Sequence, residues 1–254
     1  MKNNLKKGWL IVSPWELHRV GGVTMVIGKL LEALNKYTNY QPVLFVNAWD
    51  NSSVQESKSD ANSFHSTVRW RLRPLGNEFT DYLRFFVNLP LELMKLHRII
   101  QRNNISVINV HYPNASSFSL ALYKRIFNSK IKLVYSLHGT DVEELLERKP
   151  MRNSITKWMF NSGDVITFVS GHLQQRFNSN FKGIGTKQAI LYNGIEPSNL
   201  LATSEDQSTP KYILNVGSYL PVKDQAMLIR AFARLPKELS SEYKLILAGK
   251  TGTL

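Results

Sequence analysis

Nine short apolar runs rich in branched and aromatic residues recur along the chain, separated by stretches of helical spacing, and this alternation restricts the fold more than any other feature. The runs are 9–12 (WLIV), 43–47 (VLFVN), 68–72 (VRWRL), 105–110 (ISVINV), 132–137 (KLVYSL), 165–170 (VITFVS), 189–193 (AILYN), 212–216 (YILNV) and 243–248 (YKLILA). Helices are expected over 24–37, 81–101, 116–127, 143–160 and 224–235. Pro90 should kink or split the second, because it lacks an N–H and crowds the preceding turn. Strands and helices alternating in this way predict a doubly wound α/β fold, with a parallel sheet covered on both faces.

The stretch 196–211 (EPSNLLATSEDQSTPK) has linker composition and no period, which predicts a first domain over 1–205 and a second over 206–254. The second holds a strand, a helix and a strand. So short a unit cannot cover both faces of a sheet, so it reads as a truncated Rossmann-like domain.

With 43% apolar and 20% charged residues the chain is an ordinary globular one, and no apolar run approaches the roughly 20 residues of a membrane span. The apolar stretch near the start is too short for a signal peptide, so a cytoplasmic protein is expected. The absence of cysteine excludes disulfides, thiolate catalysis and sulfur-bound zinc. A net charge of +13 implies anionic partners, with much of the excess in "RWRLRP" and between Arg84 and Arg102. No RNA-binding signature accompanies it, and nucleic acid is not expected as a partner. The segment "DYLRFFVNLPLELMKLHRIIQRNN" admits two readings. Either Phe85, Phe86, Leu89 and Leu93 lie on an anionic membrane beside Arg84, Lys95, Arg98 and Arg102, or they pack on the sheet.

Ligands of open α/β sheets sit beyond the carboxyl ends of the strands, and four such ends stand out. Gly21 and Gly22 open a helix after the first run, where bare backbone N–H groups can meet a phosphate; a tight turn explains them equally. His111-Tyr112 and His138-Gly139-Thr140-Asp141 follow the fourth and fifth runs. Either histidine alone is more often structural, but two on neighbouring strands point to a site. Asn193-Gly194 suits a turn or a ligand. Other motifs fail. "GIGTKQ" lacks the third glycine of a dinucleotide loop, which argues against a dehydrogenase, and Gly249-Lys250-Thr251 lacks the earlier glycine of a phosphate loop. "FVSGH" lacks the first glycine of a nucleophile elbow. The histidines show no metal-ligand spacing and Asp141 with Glu143 is the nearest acidic pair, so no metal is expected.

The most specific stretch is "YILNVGSYLPVKDQAMLIRAFARL", a strand, a glycine turn, a lysine and an amphipathic helix. It resembles the start of the C-terminal domain of retaining GT-B glycosyltransferases, particularly family 4. In the same order as in that family come "RVGGVTMVIGKLLEAL", "VYSLHGTD", "VITFVSGHLQQRF" and "ILYNGIEP". The resemblance implies a GT-B fold and transfer of a sugar with retention from a nucleotide sugar to a glycan or lipid-linked acceptor, in cell-surface polysaccharide synthesis. It needs no metal or other cofactor, and it is compatible with a protein resting on an anionic membrane. It implies catalytic roles for His138 and Asp141, and donor binding by Gly21, Gly22, Asn193, Gly217 and Lys223. It places His111 and Tyr112 on the acceptor side. Ser218 stands where the family usually has arginine, so Lys223 would meet the diphosphate without its cationic partner. The family's nucleotide pocket would follow Leu254, so the expectation is that these residues alone transfer no sugar. The competing expectation is a non-catalytic module that binds an anionic glycan, membrane or partner protein through its basic face.

Overall fold

The computed structural model describes residues 6–19, 21–48, 53–57, 64–76, 78–128, 130–146, 150–194 and 211–249. The chain divides into two compact units, 1–194 and 195–254. Of the expected linker 196–211, only Lys211 lies among the described residues.

The first unit is built on an eight-stranded sheet. Its strands are β1 (Gly8–Ser13), β2 (Gln41–Asn47), β3 (Gln55–Ser57), β4 (Ser66–Trp70), β5 (Ile105–His111), β6 (Lys132–Leu137), β7 (Val165–Phe168) and β8 (Lys187–Ile190), in the order β3-β4-β2-β1-β5-β6-β7-β8. All pairings are parallel except the short edge strand β3, which runs antiparallel to β4 and gave no sequence signal because its three residues are exposed and polar. The helices are α1 (Gly22–Tyr37), α2 (Phe79–Arg102), α3 (Phe118–Phe127), α4 (Thr140–Leu146), α5 (Pro150–Asn161) and α6 (Gly171–Asn180).

Neighbouring residues of β1 and β2 enter different cores. Leu10, Val12, Val43 and Phe45 join the large core that holds residues of α2, α3, α5 and α6, whereas Ile11, Leu44 and Val46 join a smaller one with Ile27, Leu31 and Leu34 of α1. A strand buried on both faces must be apolar throughout, which is why these runs showed no polar alternation. The doubly wound α/β architecture follows directly.

Three expected elements take a different form. Over the helix expected at 143–160 the structure places α4 and α5, and residues 147–149 between them lie outside the described residues; Pro150 suits the first helical position of α5. The helix expected from 116 begins as a 3-10 turn at Ala115–Ser117. Pro90 does not split α2, which runs through it. Pro90 is solvent-exposed, so water can reach the carbonyl of Phe86 that it leaves without a donor. One side of α2 buries Phe85, Leu89, Leu93 and Leu96 against the large core. A second side leaves Phe79, Leu83, Phe86, Val87, Leu91 and Met94 in solvent, with Phe79 83% and Val87 68% exposed.

In the second unit, β9 (Tyr212–Val216) pairs in parallel with β10 (Lys244–Ala248), and between them lie a 3-10 turn at Pro221–Lys223, α7 (Gln225–Phe232) and α8 (Lys237–Glu242). Tyr212, Leu214, Val216 and Ile246 of its strands are exposed. Gly249 packs against the backbone of Gly217, where an added Cβ would stand 1.8 Å from the carbonyl oxygen. That close approach accounts for the glycine of "GKT" without any phosphate.

Candidate active site at the carboxyl edge of the first unit

From β1 the sheet extends one way through β2 and β4, then resumes on the other side of β1 with β5. The carboxyl ends of β1 and β5 therefore flank a topological switch point, where helices leave to opposite sides and a crevice opens. Gly21 and Gly22 lie after β1, His111 and Tyr112 at the end of β5, and His138 after β6. The ring of Trp15 contacts that of Tyr112 at 5.3 Å and joins the first two loops.

Gly21 caps α1 with extended backbone and no side-chain hydrogen bond, and the first turn of α1 carries no acidic residue. A Cβ on Gly22 would meet nothing within 4 Å. The N-terminus of α1 has no side-chain cap, and the helix dipole favours an anion there.

His111 and His138 form one unit. His111 Nδ1 lies 2.9 Å from His138 Nε2 and the rings are stacked. Burial, and then the neighbouring His138, pushes the His111 imidazole down to about 3; burial pushes His138 down to about 4. Both rings are neutral at pH 7 and share one proton. His111 Nε2 is buried with no partner among the described residues. A lone pair is tolerated there better than a stranded N–H, which places the shared proton on His111 Nδ1. His138 Nε2 then accepts, and His138 Nδ1 carries a proton that can be offered to a ligand.

Asp141 holds this histidine in place. It is 1% exposed, and its carboxylate accepts from the backbone N–H of His138 (2.9 Å), Gly139 (2.7 Å) and Val142 (3.0 Å). Burial raises its pKa while these bonds oppose the rise. Gly139 has φ +142°, which L side chains rarely adopt, so glycine is what lets the turn close over the carboxylate. With its oxygens engaged in this way, Asp141 positions the turn.

Tyr112 has a left-handed backbone at φ +55° and its N–H donates to Ser136 O. Its hydroxyl donates to Glu144 and lies 3.1 Å from Thr140 Oγ1. Burial, then Glu144, raises its pKa, so it remains a phenol. Glu144 was not foreseen; its only sequence signal is the four-residue spacing from Thr140 on one helix face. Asn193 is exposed beyond edge strand β8, two strands from β6, and is not brought to the histidine pair.

Gly217 and Lys223 belong to the second unit and meet there, since a Cβ on Gly217 would lie 3.7 Å from Lys223 Cγ. Asp224, left-handed at φ 42°, turns the chain into α7 and accepts from Met227 N–H. Among the described residues no three His, Asp or Glu side chains stand close enough to hold a metal, and no helix is long and apolar enough to cross a membrane.

The chain is 26% identical over 163 residues to N-acetyl-alpha-D-glucosaminyl L-malate synthase of Bacillus anthracis. It is 27% identical over 173 residues to N-acetylgalactosamine-N,N'-diacetylbacillosaminyl-diphospho-undecaprenol 4-alpha-N-acetylgalactosaminyltransferase of Campylobacter jejuni. These matches cover 61% and 65% of the chain, and 42% and 45% of the relatives, so the aligned part is about half the length of the relatives. Among solved structures, sucrose-phosphate synthase from Thermosynechococcus elongatus superposes with a TM-score of 0.69 at 15% identity, over 97% of this chain and 63% of that one; it supports the GT-B fold. The family model described as Glycosyltransferase Family 4 matches residues 20–199, from the glycine turn to just past the end of the first unit, and takes in Gly21, Gly22, His111, Tyr112, His138, Asp141 and Asn193. The chain belongs to Glycosyltransferase Family 4.

Proposed function

We propose that this chain supplies the acceptor-side half of a retaining glycosyltransferase that moves a sugar from a nucleotide sugar to a glycan or lipid-linked acceptor in cell-surface polysaccharide synthesis. The observation that carries the reading is the neutral His111–His138 pair at the ends of β5 and β6, on the carboxyl edge shared with β1, after which Gly21 and Gly22 begin α1. At pH 7 His138 is no general acid. It acts as a fixed hydrogen-bond donor to the transferring sugar, aimed by Asp141. The N–H groups after Gly21 and Gly22 meet developing negative charge, and in the second unit Gly217 and Lys223 bind the donor diphosphate. The departing phosphate takes the acceptor's proton, so no carboxylate nucleophile is required. The test is release of nucleoside diphosphate from UDP-sugars by the whole protein that carries this chain. His138→Ala should lower kcat by about 100-fold or more, and a variant as fast as wild type would refute the role.

A lipid-linked acceptor is favoured by the second apolar side of α2, which shares the helix with exposed Arg84, Arg98 and Arg102. The protein then works at the cytoplasmic membrane surface, with Phe79, Leu83, Phe86 and Val87 entering the interface. Phe85, Leu89 and Leu93 take no part, because they lie in the core. Wild type should float with phosphatidylglycerol vesicles and Phe86→Ser/Val87→Ser should not; absence of wild-type flotation at low salt would end this reading.

A further inference from the structure

Trp15 and Glu144 stand beside the histidine pair with no part in the chemistry described above. Trp15 lies in the loop that leads from β1 to the glycines, and that loop is pinned along its length. The Ser13 hydroxyl donates to Trp15 O at 2.6 Å, the Glu16 carboxylate pairs with Arg69 at 2.6 Å, Leu17 packs on the small core, and Arg19 N–H donates to Glu16 O at 3.2 Å. The indole itself joins neither apolar core and is only half-buried. Its ring contact is with Tyr112, tilted by 58°. A large apolar ring held at the crevice by so fixed a backbone is suited to receive a ligand, because little entropy is lost when the ligand covers it.

Glu144 meets the same tyrosine from α4. The hydroxyl of Tyr112 has one proton and gives it to Glu144, so Thr140, 3.1 Å away, must donate to Tyr112 in turn. This chain of two hydroxyls aims the carboxylate. A carboxylate can accept at about four positions, and among the described residues Tyr112 alone occupies one of them. Glu144 is otherwise exposed, so its remaining acceptor positions stand open one phenol ring away from the indole.

An aromatic face beside an open carboxylate complements a pyranose ring. The C–H groups of the sugar, slightly positive, stack on the π face, while neighbouring hydroxyls donate to the carboxylate in charge-assisted bonds. A phosphate or carboxylate in the same place would instead meet the negative charge of Glu144. Tyr112 directly follows His111, and Thr140 and Glu144 lie two and six residues after His138, so this corner adjoins the histidine pair. We propose that Trp15 and Glu144 are specificity-determining residues for the acceptor, and that the unit they hold is an uncharged pyranose with free neighbouring hydroxyls, stacked on the indole. The assignment rests on the acceptor-side reading of this edge, and it narrows that reading from glycans of any charge to a neutral sugar at the unit that receives the transfer.

Saturation-transfer NMR of the whole protein that carries this chain, with the methyl glycosides of glucose, galactose, N-acetylglucosamine and glucuronic acid at pH 7, reads binding without turnover. At least one neutral glycoside should saturate, with most magnetisation on the C–H protons of one ring face, and the glucuronide should not. Trp15→Ala should weaken that binding about tenfold or more, and Trp15→Phe should restore most of it. Glu144→Gln, which keeps the shape but removes the charge, should weaken it about tenfold. Arg125→Ala, exposed in the last turn of α3, should leave it unchanged, and circular dichroism should show all variants folded. No saturation by any neutral glycoside, equal binding of the glucuronide, full binding in Trp15→Ala, or an equal loss in Arg125→Ala would overturn the proposal. With the bound glycoside as acceptor, Trp15→Ala and Glu144→Gln should raise KM far more than they lower kcat for UDP release. Sugar binding that is lost in Trp15→Ala, in a protein that releases no UDP, would uphold the corner and refute the transferase; UDP release at the wild-type KM in both variants would do the reverse.

Discussion

Acidification from pH 7 to pH 5 should destabilise the first unit through the His111–His138 pair. In the unfolded chain each imidazole titrates near 6.5, whereas in the fold both lie at or below about 4. Between pH 7 and 5 the unfolded state therefore binds protons that the folded state refuses, and stability falls as pH falls. For one histidine going from about a quarter protonated to nearly fully protonated in the unfolded chain, the integrated loss is about 1.9 kcal/mol, or about 4 kcal/mol for the pair. The figure depends little on how far below 5 the folded values lie. His65, also lowered by burial, adds to the slope, while Glu92 and Asp141, raised by burial, oppose it. Comparing wild type with His111→Gln/His138→Gln removes those contributions. Urea unfolding at the two pH values, followed by far-UV circular dichroism, should show a wild-type loss about 4 kcal/mol larger than the variant's. Equal losses would mean that the pair is not buried and neutral as described.

Further outcomes follow from single residues. Asp141→Asn trades an acceptor of several backbone N–H groups for an amide with one oxygen, and should cost about 2–4 kcal/mol in urea unfolding. Gly139→Ala should cost about 1–3 kcal/mol, because φ +142° strains any Cβ even where space is open. Long-range ¹⁵N–¹H correlation spectra at pH 7 should show His138 protonated on Nδ1 and His111 on Nδ1; a proton on His138 Nε2 would reverse the tautomers deduced from the partnerless His111 Nε2. Lys223→Ala should weaken donor binding in the whole protein about tenfold or more, measured by titration with UDP, and unchanged affinity would remove its role.

The sheet was legible in the sequence because strands covered on both faces leave uninterrupted apolar runs such as "VLFVN" and "KLVYSL". The approach of His111 to His138 was legible as well, since residues at the ends of adjacent parallel strands must meet. For Asp141, whose catalytic role was implied by the family resemblance, a sequence shows the charge of a carboxylate but not its partners; only the closed turn reveals the backbone N–H groups it accepts from. The two apolar sides of α2 could not be separated for a related reason. Phe85, Leu89 and Leu93 interleave with Phe86, Val87 and Leu91 at helical spacing, and which set enters the core depends on the helix's rotation over the sheet.

The most direct test of the central claim, that this edge transfers sugar with retention, needs no acceptor. Slow hydrolysis of UDP-glucose and UDP-N-acetylglucosamine by the whole protein can be followed by ¹H NMR before the released sugar mutarotates. The α-anomer should appear first and should vanish in His138→Ala. Initial release of the β-anomer, or an α signal that survives the substitution, would contradict the account.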